Sequence, residues 1–319
     1  MPYNIYLTYP LLFFILGAML LYYGSEYLID NSTIIAKKFN IPAIVIGVTI
    51  IAIGTSLPEL IISIKASFLN NADLVIGNIV GSNIANLSLV FAVIMFFEKF
   101  IIDKTKKLFF NIYFLIFITG IFIFFISSDN LYKINGVFLL IIFFVYVYFL
   151  IKYIKSLQVI GVPEHNVKSF SFIKVIVLIL IGILFLSFGS DMFIGGSLGI
   201  AQMIGINNVS LGLTLVALGT SIPELIVSIN AAKKAQYDYV LGNILGSNII
   251  NIALIGGITS IINDIKFNSS QIKIDYILLI LLTISFPSFL SNNKKFNRFL
   301  SLIFISIYLA FLYINFLVK

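Results

Sequence analysis

Residues 52–60 read AIGTSLPEL, and residues 217–225 read ALGTSIPEL. Both strings lie within long apolar runs, yet each sets a glycine, two hydroxyls, a proline and a glutamate together. The environment that tolerates such a string decides the fold. The chain has 319 residues, 60% hydrophobic and 10% charged, with a mean hydropathy of +1.11. Soluble domains carry about a quarter charged residues, so this chain reads as an integral membrane protein. Apolar runs of about 20 residues, enough to span a bilayer as a helix, occur at 8–29, 43–69, 74–97, 108–128, 134–154, 173–196, 207–231, 238–262, 272–291 and 299–317. The runs are continuous, whereas barrel strands alternate. The expected fold class is therefore all-α, with ten transmembrane helices.

Composition removes several classes of function. With no cysteine there are no disulfides, no thiolate metal sites and no thiol chemistry. The single histidine, His165, falls in the longest loop. The N-terminal MPYNIYLTYP has no basic residue and does not read as a cleaved signal peptide. The net charge of +7 is better explained by membrane topology than by nucleic acid. With the N-terminus outside, 15 of the 20 Lys and Arg fall on the inner loops, among them Lys37, Lys38, the Lys99–Lys107 cluster, Lys294, Lys295 and Arg298. Inner loops should carry that excess. The expectation is a multi-pass cell-membrane protein with both termini extracellular.

The two opening strings belong to a longer repeat. Segment 47–64 matches 212–229 at 12 of 18 positions, 76–87 matches 241–252 at 8 of 12, and 24–36 matches 189–201 at 6 of 13. All three share one offset of 165 residues. The matches fall on Gly, Ser, Thr, Asn, Pro and Glu, which general apolarity would not align. Five spans per half is an odd number, so the halves enter the membrane in opposite senses. The expected organisation is a first repeat over 1–155 (motif 47–87), a cytoplasmic linker over 156–172 too short for a regulatory domain, and a second repeat over 173–319 (motif 212–252). In inverted-repeat transporters the site lies near the midplane, on interrupted helices.

Glu59 and Glu224 are the only carboxylates well inside expected spans, and no lysine or arginine sits at comparable depth. A buried charge costs about 2.5–3.5 kcal/mol on insertion scales, so the pair calls for a partner. A hard cation, which takes carboxylate, carbonyl and hydroxyl oxygens, is the simplest one. Pro58 and Pro223 lack the helical N–H, which predicts breaks that release carbonyls around Ala52, Gly54 and Thr55, and around Ala217, Gly219 and Thr220. Ser56 and Ser221 would then cap the half-helices that follow. A purely structural alternative is a capping box, in which Glu59 folds back onto Ser56.

The second motif, GNxxGSNxxN, has two helical stripes. Gly77, Gly81 and Ala85 form a small face, begun in the other half by Gly242 and Gly246. Asn78, Ser82 and Asn86 form a polar stripe mirrored by Asn243, Ser247 and Asn251. Such a stripe is either hydrogen-bonding glue between helices or a further set of oxygens for the ion. Two carboxylates with neutral oxygens suit Ca²⁺ and Na⁺ better than Mg²⁺, which dehydrates reluctantly. Glu26 and Asp191, nearer span ends, read as interface residues, and Lys65 as a snorkelling one.

GTSLPE and GTSIPE, each followed by GNxxGSN, resemble the alpha-repeats of the sodium/calcium exchanger family, within the calcium/cation antiporter superfamily. The resemblance extends to the compact prokaryotic members. It implies ten helices, with Glu59 and Glu224 as ligands shared by Ca²⁺ and Na⁺. It further implies calcium contacts from the Thr55 and Thr220 carbonyls and sodium contacts from the Ala52 and Ala217 carbonyls. Hydroxyls of Ser56, Ser82, Ser221 and Ser247 would complete the sodium sites. Spans one and six would slide across the other eight. The chain departs from the family at Asn86 and Asn251, where such exchangers often have Asn and then Asp, and potassium-dependent relatives tend to have Asp twice. Mitochondrial sodium/lithium/calcium exchangers are similar in lacking that acid. The departure argues against potassium co-transport and leaves the sodium stoichiometry open.

The leading expectation is Na⁺/Ca²⁺ antiport by alternating access. H⁺/Ca²⁺ antiport is the alternative, although proton-coupled relatives often carry a histidine that neither repeat has. An ion channel is a third class, and an intramembrane enzyme lacks an identifiable base for any Ser or Thr nucleophile. Neither a prosthetic group nor a protein partner is implied; the partners are Ca²⁺, Na⁺ and the lipid bilayer, and a monomer suffices.

Overall fold

The computed structural model describes residues 8–97, 106–158, 171–203, 219–267, 269–291 and 293–315. Almost all of these are helical. The helices are α1 Pro10–Lys38, α2 Ala43–Thr55, α3 Leu57–Phe68, α4 Ala72–Phe97, α5 Lys106–Ile126, α6 Lys133–Gln158, α7 Phe172–Met203, α8 Ile222–Lys233, α9 Tyr237–Ile262, α10 Ser269–Ser285 and α11 Lys294–Tyr313. Eight of them are long and apolar enough to cross a membrane, and α2 with α3 makes a ninth span bent by 50°. The span expected at 207–231 is described only from Gly219 onward; Ala217 and His165 lie outside the described residues. Two short strands, β1 Asn130–Leu131 and β2 Ile265–Lys266, pair antiparallel and tie the loop after α5 to the loop after α9.

Sequence explains most helix ends. Pro10 opens α1, where its missing N–H costs nothing, and Lys37 and Lys38 sit in its last turn, favourable for the helix dipole. Asn71 caps α4 by accepting from Leu74 N at 3.1 Å, and Asn293 caps α11 by accepting from Lys295 N and Phe296 N. Both α1 and α7 run past their expected ends at 29 and 196; on α1 the extension buries Asn31 and Ser32. Pro287 lies in a 3₁₀ turn, Phe286–Leu290, that ends the α10 span.

Three helices close in the same way. The chain leaves α1, α3 and α8 through a residue in the left-handed region: Asn40 (φ 51°), Asn70 (φ 55°) and Ala235 (φ 55°). The next amide then reaches back five residues, Ile41 N to Ala36 O, Asn71 N to Ala66 O and Gln236 N to Ala231 O, each at 2.9 Å. This is the Schellman closure, and Asn70 and Ala235 are related by the repeat offset.

Glycines set the closest helix contacts. On α1, Gly17 and Gly24 face Gly182, Gly189 and Gly196 on α7, all at seven-residue spacing. A Cβ at Gly24 would lie 2.9 Å from Gly182 O, and one at Gly17 would strike the Phe193 backbone nitrogen. The two helices run antiparallel, since Gly196 meets Phe14 while Gly182 meets Leu28. Small residues allow such approach where apolar burial gives little drive in lipid. In the centre, α2 meets α9 similarly: a Cβ at Gly47 would lie 2.8 Å from Gly242 Cα, and one at Gly246 would lie 2.6 Å from Val48 Cα. For Gly77 and Gly81, no described residue lies within 4 Å of such a Cβ; residues 212 and 213, the offset counterparts of the Gly47 and Val48 that meet Gly242 and Gly246, lie outside the described set. The most buried helices are α4 and α9, so the two GNxxGSN motifs occupy the heart of the molecule.

Candidate functional site

Both polar strings interrupt their helices, at Ser56 (φ −87°, ψ 9°) and at Ser221 (φ −89°, ψ 3°). Pro58 and Pro223 follow within the first turns of α3 and α8, and Glu59 and Glu224 share those first turns. Both glutamates are 0% exposed. A carboxylate placed there feels the positive end of its own helix.

Hydrogen bonds knit the two strings and the two GNxxGSN motifs together. Ser56 Oγ donates to Glu224 Oε1 at 3.0 Å. Thr55 Oγ1 reaches Asn243 Oδ1 at 3.0 Å and Ser247 Oγ at 3.3 Å, and Ser82 Oγ faces Thr220 Oγ1 at 3.4 Å. Each string thus bonds to residues 138–192 positions away. These cross-half contacts join Ser56 to Glu224, Thr55 to Asn243 and Ser247, and Ser82 to Thr220, all of them buried.

One sequence expectation and one alternative fail here. Ser56 and Ser221 occupy N-cap positions, but neither hydroxyl caps its helix; Ser56 is drawn away by Glu224, which offers a charged acceptor. The capping box is also absent, because neither oxygen of Glu59 has a hydrogen-bond partner. The carbonyls are freed less than expected. Ala52 O accepts from Ser56 N at 3.0 Å and from Thr55 Oγ1 at 3.3 Å, and Gly219 O accepts from Ser190 Oγ at 2.8 Å. A carbonyl has two lone pairs, so each keeps acceptor capacity.

Asn78 and Asn243 act as the hydrogen-bonding glue between helices that was one reading of their stripe, with partners the sequence did not specify. Asn78 Nδ2 donates to the backbone carbonyl of Glu59 at 3.1 Å and to Ser63 Oγ at 2.7 Å. Asn243 Nδ2 makes the equivalent bonds to Glu224 O at 3.3 Å and Ser228 Oγ at 2.9 Å. Each asparagine fixes the first turn that carries the glutamate of its own half. The recurrence of Ser63 and Ser228 within the aligned segments was the available signal.

Several buried polar atoms have no partner: Glu59 Oε1 and Oε2, Glu224 Oε2, Ser221 Oγ, and both amide atoms of Asn86 and of Asn251. Asn86 opens a π-helical turn in α4 (Asn86–Val90), and Asn251 lies in the matching turn of α9 (Ile250–Ile255). Such turns recur at functional sites. Burial of unpaired polar groups is costly, and three bare carboxylate oxygens are the costliest here. Among the described residues no group of three or more His, Cys, Asp or Glu gathers in one place. What the arrangement offers is two carboxylates and neutral oxygens, a donor set suited to a hard cation.

Fold and site together define a polytopic helical membrane protein with a buried, oxygen-rich acidic centre built on interrupted helices. The family model described as sodium/calcium exchanger protein matches residues 9–152 and 174–317. An uncharacterized membrane protein of Methanocaldococcus jannaschii is 35% identical over 93% of this chain and 95% of its own length. The sodium/calcium exchanger MaX1 of Methanosarcina acetivorans is 30% identical over 97% of this chain and 99% of its own. A solved structure of the sodium-calcium exchanger NCX_Mj, soaked with 2.5 mM Na⁺ and 0.1 mM Ca²⁺, superposes with a TM-score of 0.78 at 33% identity, covering 94% of this chain and 96% of that one. The chain belongs to the sodium/calcium exchanger family.

Proposed function

We propose that the protein exchanges Na⁺ for Ca²⁺ across the cell membrane by alternating access, at a site centred on Glu59 and Glu224. The observation that carries this reading is the pair itself: two fully buried carboxylates, three of their four oxygens unpartnered, one tied to the opposite string by Ser56. Ca²⁺ between them would meet two negative charges, with the Thr55 and Thr220 carbonyls completing its shell. Sodium ions would use the same carboxylates with hydroxyls from Ser56, Ser82, Ser221 and Ser247, amide oxygens from Asn86 and Asn251, and the Ala52 and Ala217 carbonyls. Gly54 with Pro58, and Gly219 with Pro223, would supply the breaks. Since both ions need Glu59 and Glu224, occupancy by one excludes the other, and that exclusion couples the fluxes.

In this reading the chain forms ten spans in two inverted repeats with both termini outside, and acts as a monomer. The glycine-lined α1–α7 pair would move as one body over the remainder. Family membership and the NCX_Mj likeness support sodium as the counter-ion, and no observation favours the proton-coupled alternative.

The test is ⁴⁵Ca²⁺ uptake into Na⁺-loaded proteoliposomes diluted into Na⁺-free buffer. Uptake should need the outward sodium gradient and be lost in both Glu59→Gln and Glu224→Gln, while each variant still inserts. Uptake driven by a pH gradient without sodium would replace this reading with the proton-coupled one.

A further inference from the structure

We infer that Asp191 on α7 and Lys65 on α3 form an ion pair that closes the outer mouth of the transporter when the inner mouth opens. This rests on the antiport reading and the topology proposed above. Glu26 and Asp191 are equivalent in the repeat, each directly after a buried serine, Ser25 or Ser190, on the glycine-lined pair α1–α7. In the structure the two dyads are in different conditions. Ser25 Oγ accepts from Asn230 Nδ2 at 2.9 Å, and Glu26 lies 3.6 Å from Lys234, one turn further along. Lys234 also pairs with Asp30, and Gln236 Nε2 donates to Thr33 Oγ1 at 3.3 Å. These ties fasten α1 to the end of α8 that the topology places inside.

The second dyad is undocked. Ser190 Oγ donates to Gly219 O at 2.8 Å instead. Asp191 and Lys65 are both exposed, and neither has an ion-pair partner among the described residues. Among those residues, α7 also has no seam with α3 to match that of α1 with α8. Yet the charges for such a seam are present, and Asp191 already feels the attraction of Lys65 at longer range. Lys65 is the repeat counterpart of Asn230, and Lys234 that of Leu69. Positions 65 and 69 are four apart, so the two lysines occupy neighbouring places on one face of equivalent helices. Each half thus sets a lysine opposite the acid of the other half's dyad, although the lysines themselves do not align. A lysine in an apolar span is costly, and an acid across a water-filled opening is its usual companion. If α1–α7 moves as one body, undocking from α8 inside accompanies docking on α3 outside. Asp191 then replaces Glu26 as the paired acid.

The chain has no cysteine, so Lys65→Cys with Asp191→Cys introduces its only two thiols. In proteoliposomes a short, reducible bis-thiol cross-linker should join them, and the joined protein should stop taking up ⁴⁵Ca²⁺ from the outer face until the link is reduced. Thiols that never join, or a joined protein that exchanges at the unlinked rate, overturn the proposal. The charges are tested separately. Asp191→Asn and Lys65→Met should each lower the calcium concentration for half-maximal uptake at the outer face and raise it at the inner face, by up to about fivefold. Lys65→Asp with Asp191→Lys should restore both values. Half-saturation unchanged in the single variants, or not restored by the swap, would sink the pairing. Absence of sodium-dependent uptake in the unmodified protein would overturn the antiport reading instead; cross-linking, read on a gel, needs no sodium and still decides whether the α3–α7 seam closes.

Discussion

The two glutamates are equivalent in sequence and inequivalent in space. Glu224 has one oxygen bonded to Ser56, whereas both oxygens of Glu59 and the hydroxyl of Ser221 stand without partners. Ser56→Ala should therefore cost more than Ser221→Ala, since a hydrogen bond to a charged group contributes about 1.5–3 kcal/mol. Thermal unfolding in Na⁺-free and Ca²⁺-free detergent would check this, and equal melting temperatures for the two variants would count against it. Asn78 and Asn243 belong to the same scale. Each holds a glutamate's backbone from behind, and loss of such a support typically costs about 10–100-fold in ion affinity. Asn78→Ala and Asn243→Ala should weaken calcium-dependent protection from unfolding by that factor while leaving the apo protein folded. The glutamates, prolines and hydroxyls of this site were legible because polar residues repeated inside apolar runs have few structural excuses. The actual partners of Ser56, Asn78 and Asn243 were not: capping competes with cross-half contacts, and only the folded arrangement decides which acceptor is nearer.

Among whole elements, most spans were legible from apolar length, and their ends were less so. α1 continues through DNSTIIAKK because Asn31 and Ser32 are buried against neighbouring helices, a tertiary contact that hydropathy does not register. The Schellman closures expose a weak point in the second half. Asn70 suits the left-handed region and Ala235 does not, since an L side chain there costs about 1–2 kcal/mol and asparagine less. Ala235→Asn should raise stability by about 1 kcal/mol, seen as a higher melting temperature with transport unchanged; a lower one would mean the turn is not strained. The α1–α7 seam makes the opposite prediction. A methyl at Gly24 or Gly189 meets backbone 2.9 Å away, so the helices must separate. Gly24→Ala and Gly189→Ala should each destabilise by about 1–3 kcal/mol, the usual range for overpacking, and slow exchange more than they weaken ion binding.

At the scale of the whole molecule, the repeat is broken, among the described residues, by two ion pairs that share Lys234. Lys234, just past α8, lies 2.5 Å from Asp30 and 3.6 Å from Glu26 on α1, with Asn230 Nδ2 donating to Ser25 Oγ beside it at 2.9 Å. The offset counterparts of Lys234, Glu26 and Asp30 are Leu69, Asp191 and Gly195, so the other half cannot form this tie. One end of the α1–α7 pair is thus fastened to the centre by close ion pairs, whereas at the other Asp191 on α7 has only the longer-range attraction of Lys65 on α3. If that pair moves during transport, the fastening biases the two access states, favouring the one in which the Lys234 end is closed. The groups are partly exposed, so the bias is limited to about 1 kcal/mol. Lys234→Met should then change the calcium concentration for half-maximal uptake in opposite directions on the two faces, by up to about fivefold. Comparing oppositely oriented vesicles measures this. High ionic strength should reproduce part of the effect in the unmodified protein, because exposed pairs are screened, and should do nothing further to Lys234→Met. Equal half-saturation in both orientations before and after the substitution would mean that the tie stabilises the fold without sensing the transport cycle.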